Sequence, residues 1–283
     1  MDTGLGLPIG DPDTLLDWAR LADAGPFSTL GLLDRIAHPN PEPLITLAAV
    51  AGATSRIRIQ TEVLVAPLRD PVLLAKQCAT LDRLSGGRFT LGVGIGMRPE
   101  DYRAVAGADF HRRGRRLDEQ MALMRRIWSG EPPAADVPAT GPLPATDGGP
   151  EVLFGTYSPA GLARAARWGH GYLGGAPLKL TDLLFRAVEQ AWREAGRGDR
   201  PRLVTQVTAA LGPRSVAEEA ATALRAYSGP GERTDQVVAD ILTTPRQVRD
   251  TLKAYGDLGA DEVILYCWST DPDQIARLAD SIS

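Results

Sequence analysis

The sequence has only two cysteines and three histidines among its 283 residues. Cys78 and Cys267 form no CxxC pair, and His38, His111 and His170 do not have the spacing of metal ligands. Structural zinc sites need sets of closely spaced Cys and His ligands. We therefore expect no metal site. Two isolated thiols in apolar surroundings suit a reducing compartment, so we also expect a cytoplasmic protein.

Signals for export, for membrane insertion and for nucleic-acid binding are also missing. The first residues lack the basic and apolar stretches of a signal peptide, and no uncharged apolar run approaches the roughly 18 residues of a membrane span. A formal net charge of −4 disfavours contact with nucleic-acid phosphates. The basic cluster at 111–116 precedes Asp118 and Glu119 and is interpreted as a solvated helix start. We expect neither nucleic acid nor membrane as a partner, and a homodimer is left open.

Two common catalytic motifs are absent. There is no GxSxG nucleophile motif and no phosphate-binding Walker loop. A chain with few obvious acids and bases at its strand ends is typical of enzymes in which a bound cofactor performs the difficult chemistry.

What the sequence does contain is a regular alternation of short apolar runs and amphipathic helical patterns. No strand–strand hairpin is visible, so the strands are expected to be parallel and joined by crossover helices. Eight such units predict a single (β/α)₈ barrel domain over residues 1–283, of α/β class, and an open doubly wound sheet is the alternative. The predicted strands are Leu5–Ile9, Ser28–Leu33, Arg56–Val65, Phe89–Val93, Glu151–Phe154, Tyr172–Gly174, Arg202–Leu211 and Glu262–Trp268.

Two segments depart from this alternation. Residues 131–150 are rich in Pro, Gly and Ala and predict a short irregular loop insertion. Residues 216–240 give a less clear helical pattern. Helix starts are clearer elsewhere: Thr244-Pro245 with Gln247, and Asp271-Pro272 with Gln274, each predict a capping box.

In a barrel of this kind the active site lies at the C-terminal ends of the strands. Gly155-Thr156-Tyr157-Ser158 connects a strand to a helix that begins at Pro159. Free amides at that helix start, together with the two hydroxyls, could bind a phosphate group. An ordinary capped loop is the alternative. The glycines of 92–96 would let a flat ring approach the backbone, although the GxGxxG spacing of dinucleotide-binding folds is missing.

Several segments resemble the luciferase-like oxidoreductases. The resemblance rests on Thr61–Gln77, Leu81–Arg88, Leu91–Gly96, Phe110–Glu119, Trp128–Pro132 and Ser158–Gly171, and it covers nearly the whole chain. It implies a luciferase-like barrel that uses reduced FMN or a deazaflavin (factor 420) for hydride transfer to a small organic substrate or for its monooxygenation.

The resemblance also implies a set of site residues. A bulge with a non-prolyl cis peptide, here Glu62–Val63, lies behind the flavin ring in this family. The positions that contact the ring, the ribityl chain and the phosphate correspond to Asp34, Ile95, Gly96, Gly155, Thr156, Tyr157 and Ser158. Arg35 and His38 are the predicted catalytic residues, as groups that orient the substrate.

Three positions depart from the family pattern. Arg35 stands where histidine often follows the aspartate, Met97 where deazaflavin dehydrogenases that use a general acid have glutamate, and Ile95 where the flavin-dependent luciferases have an arginine near the phosphate. Because a phosphate without a guanidinium partner loses a strong contact, the third departure favours a deazaflavin over FMN. A flavin-binding protein without turnover remains the alternative.

Overall fold

Eight parallel strands close on each other in the computed structural model, which describes residues 1–8 and 12–282. The first strand pairs with both the second and the last, and the third pairs with the fourth, so the sheet has no free edge. The predicted barrel is confirmed, and the open sheet is wrong. The strands are β1 Asp2–Gly6, β2 Thr29–Leu32, β3 in two segments, Arg58–Thr61 and Leu64–Val65, β4 Phe89–Gly94, β5 Glu151–Gly155, β6 Gly171–Gly174, β7 Arg202–Thr208 and β8 Glu262–Tyr266.

Helices on the outside connect the strands. They are α1 Pro12–Ala24, α2 Pro43–Ala53, α3 Pro71–Leu84, α4 Pro99–Arg103, α5 Arg113–Trp128, α6 Pro159–Trp168, α7 Leu178–Glu194, α8 Arg214–Ser228, α9 Glu232–Ala239, α10 Pro245–Asp257 and α11 Asp273–Ile282, with a 3₁₀ turn at Ala66–Leu68. None of the helices described is long and apolar enough to cross a membrane. Both cysteines are buried and unpaired.

Several element boundaries differ from the prediction. β1 begins at Asp2, and the predicted end at Ile9 lies outside the described residues. β7 ends at Thr208, because Ala209 forms an isolated bridge to Leu242 instead. The unclear stretch at 216–240 forms α8 and α9, separated around Gly229 and Gly231. Both of these glycines have positive φ, which few other residues adopt. Residues 131–150 contain no helix or strand, as predicted.

One of the two predicted capping boxes is present in the structure. The Thr244 side chain accepts from the Gln247 amide, and the Gln247 side chain binds the Thr244 backbone in return. The second box is wrong, because α11 begins one residue late, at Asp273. The Gln274 side chain is instead buried, accepting from the Leu211 amide and donating to its carbonyl.

An ionic layer closes the N-terminal end of the barrel. Arg202 binds both Glu151 and Glu262, and its contact to the Glu262 carboxylate measures 2.6 Å. Arg58 binds Glu151 from the other side at 3.0 Å. The Ser28 hydroxyl donates to the second oxygen of Glu262. These residues lie at or next to the first positions of their strands, so this end of the barrel is filled by charged groups that satisfy one another.

We expect Arg202→Met to destabilise the protein by about 3–5 kcal/mol, because Glu262 is buried and would lose its cation. The matched control is Arg200→Met, which removes an exposed pair with Asp261 and should cost at most about 1 kcal/mol. Urea unfolding monitored by circular dichroism measures both. Equal losses in the two variants would show that the ionic layer does not stabilise the barrel.

Candidate functional site at the C-terminal mouth of the barrel

β3 carries one residue more than its neighbour at the C-terminal mouth of the barrel. Ile59 pairs with Phe89 and Leu64 pairs with Val93, so β3 advances five residues while β4 advances four. The extra residue lies between the two β3 segments, and the Glu62–Val63 peptide there is cis. The predicted bulge and cis bond are both confirmed.

Hydrogen bonds fix this interruption on both sides. The Thr61 hydroxyl donates to the Gly92 carbonyl at 2.7 Å, and the Glu62 amide donates to the Leu32 carbonyl at 2.8 Å. Gly92 is required here, since a Cβ on it would lie 1.9 Å from the Thr61 carbonyl oxygen. The bulge is therefore held by β2 and β4 together.

The Val63 side chain occupies the space left by two glycines at the barrel mouth. Gly94 and Gly155 are register partners on β4 and β5. A Cβ on Gly94 would lie 2.7 Å from a Val63 methyl, and one on Gly155 would lie 2.9 Å from the other. The half-buried Val63 side chain thus packs against β4 and β5 in the space that these two glycines leave, and we call this surface the Val63 floor.

Asp34 supports the second segment of β3. Its carboxylate accepts from the Val65 amide at 2.8 Å and from both terminal nitrogens of Arg69, at 2.7 and 3.1 Å. The side chain is buried, and these bonds hold the second segment of β3 against Arg69. The observed role of Asp34 is to position the strand.

The loop after β4 turns away from the floor at Ile95 and Gly96. The Ile95 carbonyl accepts from the Tyr102 hydroxyl at 2.5 Å. Gly96 has φ +67°, and a Cβ there would lie 2.7 Å from a Val65 methyl. Ile95 is half-buried, whereas Met97 is 61% exposed. As a methionine, residue 97 cannot serve as a general acid.

The loop after β5 forms the start of α6. The Ser158 hydroxyl accepts from the Gly161 amide, so Ser158 caps the helix as predicted. The Tyr157 hydroxyl donates to the Gly175 carbonyl at 2.8 Å, which ties this loop to the one after β6. The Arg233 guanidinium lies 5.2 Å from the centre of the Tyr157 ring. Sequence analysis missed Arg233 because α9 gave no clear pattern.

Glu62 lies inside the barrel, beneath the bulge. Its carboxyl accepts from the Gln60 side-chain amide at 2.7 Å and from the Gln206 side-chain amide at 2.8 Å. A Cβ on Gly31 would lie 2.2 Å from this carboxyl, so β2 needs glycine opposite it. Burial raises the pKa of Glu62 to about 8, against the lowering effect of the Gln60 hydrogen bond. At neutral pH this carboxyl is mainly protonated.

Arg35 is engaged by other protein groups. Its guanidinium binds Asp101 at 2.6 Å, Glu100 at 3.2 Å and the Tyr227 carbonyl at 3.1 Å. Its side chain is only 9% exposed. Arg98 likewise donates to the carbonyl of Ser228. Both arginines therefore hold the C-terminal end of α8, where the helix dipole favours a positive charge.

His38 belongs to an aromatic wall that it forms with Tyr227 and Trp268. Its ring meets Tyr227 edge-on at 5.2 Å, and Tyr227 contacts Trp268 at 5.1 Å. Burial, followed by the charge of Arg35, lowers the pKa of His38, so its imidazole is neutral at pH 7. The Trp268 indole nitrogen is buried without a hydrogen-bond partner among the described residues.

His170 has a structural role. Its Nδ1 accepts from the Val152 amide at 2.8 Å, and its own amide donates to the Val152 carbonyl at 2.7 Å. This histidine extends the ladder beside β5. Among the described residues no cluster of His, Cys, Asp and Glu could hold a metal ion.

Glu62→Gln should stabilise the protein increasingly as pH rises from about 4.5 to about 8. Glu62 has an ordinary pKa of 4.5 when unfolded and a pKa of about 8 when folded. The contribution of the Glu62 proton to the free energy of unfolding is fully present below pH 4.5 and is lost as the pH approaches 8. The loss is about 1.4 kcal/mol for each unit by which the folded and unfolded pKa values differ. Glutamine mimics the neutral acid and cannot ionise. Urea unfolding of both proteins from pH 4 to 9 measures the difference, and a difference independent of pH would contradict the assignment.

Solved structures share this architecture across the whole chain. A monooxygenase from Streptomyces bottropensis superimposes with a TM-score of 0.84 at 21% identity, covering 100% of this chain and 98% of that one. An F420-dependent secondary alcohol dehydrogenase, solved with an F420–acetone adduct, gives a TM-score of 0.81 at 18% identity, covering 99% and 98%. At these identities the likeness shows the fold.

Sequence comparison is more specific about the family. An uncharacterised protein of Mycobacterium tuberculosis is 34% identical over 209 residues, which cover 63% of this chain and 71% of that protein. The family description "luciferase-like monooxygenase" matches residues 2–264. The chain therefore belongs to the luciferase-like monooxygenase family.

Proposed function

We propose that this protein is an oxidoreductase that binds a deazaflavin or flavin at the barrel mouth and acts on a small organic substrate. The observation that carries the proposal is the half-buried Val63 side chain at the barrel mouth, which fills the space left by Gly94 and Gly155. A flat ring could stack on Val63, because the two glycines add no side chain beside it. Membership of the luciferase-like family supports the same cofactor class.

The residues at both ends of the floor fit such a cofactor. Gly155 to Ser158 offer backbone amides and hydroxyls at the start of α6, where an anion is favoured. Arg233 adds a cation beside Tyr157, and no ion pair occupies it among the described residues. At the other end, Trp268 has a buried indole N–H without a partner. The chain can therefore hold a phosphate at one end of the floor and a polar atom at the other.

We favour a deazaflavin and hydride transfer. Ile95 brings no guanidinium to the loop after β4, which is the contact that an FMN phosphate would be expected to use there. Arg233 could serve the phosphate of either cofactor, so it does not discriminate. When bound, a reduced deazaflavin would supply a hydride to the substrate.

The chain's own groups would bind and orient the substrate. His38, with its neutral imidazole, can hydrogen-bond to a hydroxyl or carbonyl oxygen at the mouth. Tyr227 and Trp268 offer it an apolar wall. Arg35 would act as a positioning residue, because its guanidinium holds the Tyr227 carbonyl and is committed to Asp101. Water would be excluded by the same aromatic wall.

Titration of the purified protein with coenzyme F420 and with FMN tests this proposal. We expect F420 to bind more tightly and its reduced complex to be stable in air-saturated buffer during stopped-flow mixing. Tight FMN binding with a long-lived absorbance after mixing with oxygen would favour monooxygenation instead. Binding without turnover on alcohols or carbonyl compounds would favour the flavin-binding alternative, and binding of neither cofactor would refute the proposal.

Ser158→Ala should have two separable effects. Loss of the α6 cap should reduce the free energy of unfolding by about 1 kcal/mol, and loss of a hydroxyl at the phosphate end should weaken cofactor binding. Thr244→Ala removes the cap of α10, which belongs to a different loop, and should reduce stability without affecting binding. Denaturant unfolding and fluorescence titration measure the two effects. If Ser158→Ala loses stability alone, the loop is only a capped turn.

A further inference from the structure

Glu62 differs from the other buried carboxylates at the mouth because no cation neutralises it. Asp34 is paired with Arg69, and Asp101 is paired with Arg35. Glu62 receives neutral donors: the side-chain amides of Gln60 on its own strand and Gln206 on β7, and the Tyr266 hydroxyl on β8. A buried carboxylate without a cation is costly, so the neutral acid is the favoured form.

The groups that face Glu62 from neighbouring strands do not change this. β2 presents Gly31, which brings no charge. β8 presents the buried Tyr266 hydroxyl, whose hydrogen bond to Glu62 lowers the pKa of that carboxyl less than burial raises it. Glu262 lies further along the same strand, and its negative charge also opposes ionisation of Glu62. A proton is therefore the only neutralising partner available to Glu62 among the described residues.

We propose that Glu62 makes the cofactor site selective for ring charge: as a neutral acid it admits a negatively charged reduced ring, and as a carboxylate it repels it. The inference rests on the proposed function, which places the ring against the Glu62–Val63 peptide. Reduced flavins and deazaflavins carry a negative charge on the ring near neutral pH, whereas oxidised FMN has a neutral ring. For FMN, whose ring charge changes on reduction, the redox state would thereby be coupled to the protonation of Glu62.

The coupling has a definite sign. The pKa of Glu62 is about 8 in the unliganded protein, and a negatively charged ring beside it would raise this pKa further. Below pH 8 the acid is already neutral, and binding changes nothing at Glu62. Above pH 8, binding of a reduced ring draws protons from solvent onto Glu62, to the extent that the ring raises its pKa. A like charge within about 8 Å in a partly buried site should weaken binding on the order of tenfold or more.

Anaerobic titration with reduced F420 and reduced FMN at pH 6.5 and pH 9.5 tests the inference in the wild type and in Glu62→Gln. We expect the wild type to lose at least about tenfold in affinity at the higher pH relative to Glu62→Gln, which stays neutral. Oxidised FMN should show no such difference. Glu194→Gln changes the net charge equally at an exposed position on α7 and should behave as the wild type.

A second measurement uses the wild type alone, in case Glu62→Gln does not fold. Calorimetric titration at pH 9.5 in two buffers of different ionisation enthalpy counts the protons taken up on binding. Net uptake of a fraction of a proton with the reduced cofactor, absent with oxidised FMN, supports the inference. Equal affinity at both pH values, or no uptake, overturns the inference and leaves the proposed function standing. Binding at neither pH refutes both.

Discussion

The packing of Val63 against two glycines is the constraint on which the site depends. The side chain fits only because Gly94 and Gly155 present no Cβ to it. It reaches that position because β3 contains one residue more than β4 between their paired positions. Gly92 makes room for the displaced Thr61 carbonyl, and Asp34 with Arg69 holds the strand again at Val65. The extra residue in β3 therefore determines how the side chains at the barrel mouth are arranged.

The same arrangement divides the acidic groups at the mouth into two kinds. Asp34 and Asp101 are neutralised by arginines and act on the backbone, since they hold Val65 and the loop at 36–37. Glu62 meets only neutral donors among the described residues, and burial raises its pKa to about 8. The basic groups divide likewise. Arg35 and Arg98 fix the end of α8, while Arg233 remains available beside the loop after β5.

The sequence predicted the features that depend on residues close together in the chain. The strands, the loop at 131–150, the Ser158 cap and the bulge at Glu62–Val63 follow from hydrophobic periodicity, capping residues and the family resemblance. Side-chain contacts between segments that are far apart in the sequence could not be predicted. Arg35 was predicted to orient substrate, but its partner Asp101 lies 66 residues away. The ionisation of Glu62 depends on Gln206, 144 residues away, and on burial that only the closed barrel creates.

A crystal structure with a reduced deazaflavin bound would test the central claim most directly. We predict that the ring stacks on Val63 beside Gly94 and Gly155. The phosphate should lie at the Thr156–Ser158 loop, with the Arg233 guanidinium turned toward the phosphate. A ring bound elsewhere, or a β3 in which residues 61–65 pair regularly with β4 without the extra residue, would contradict it.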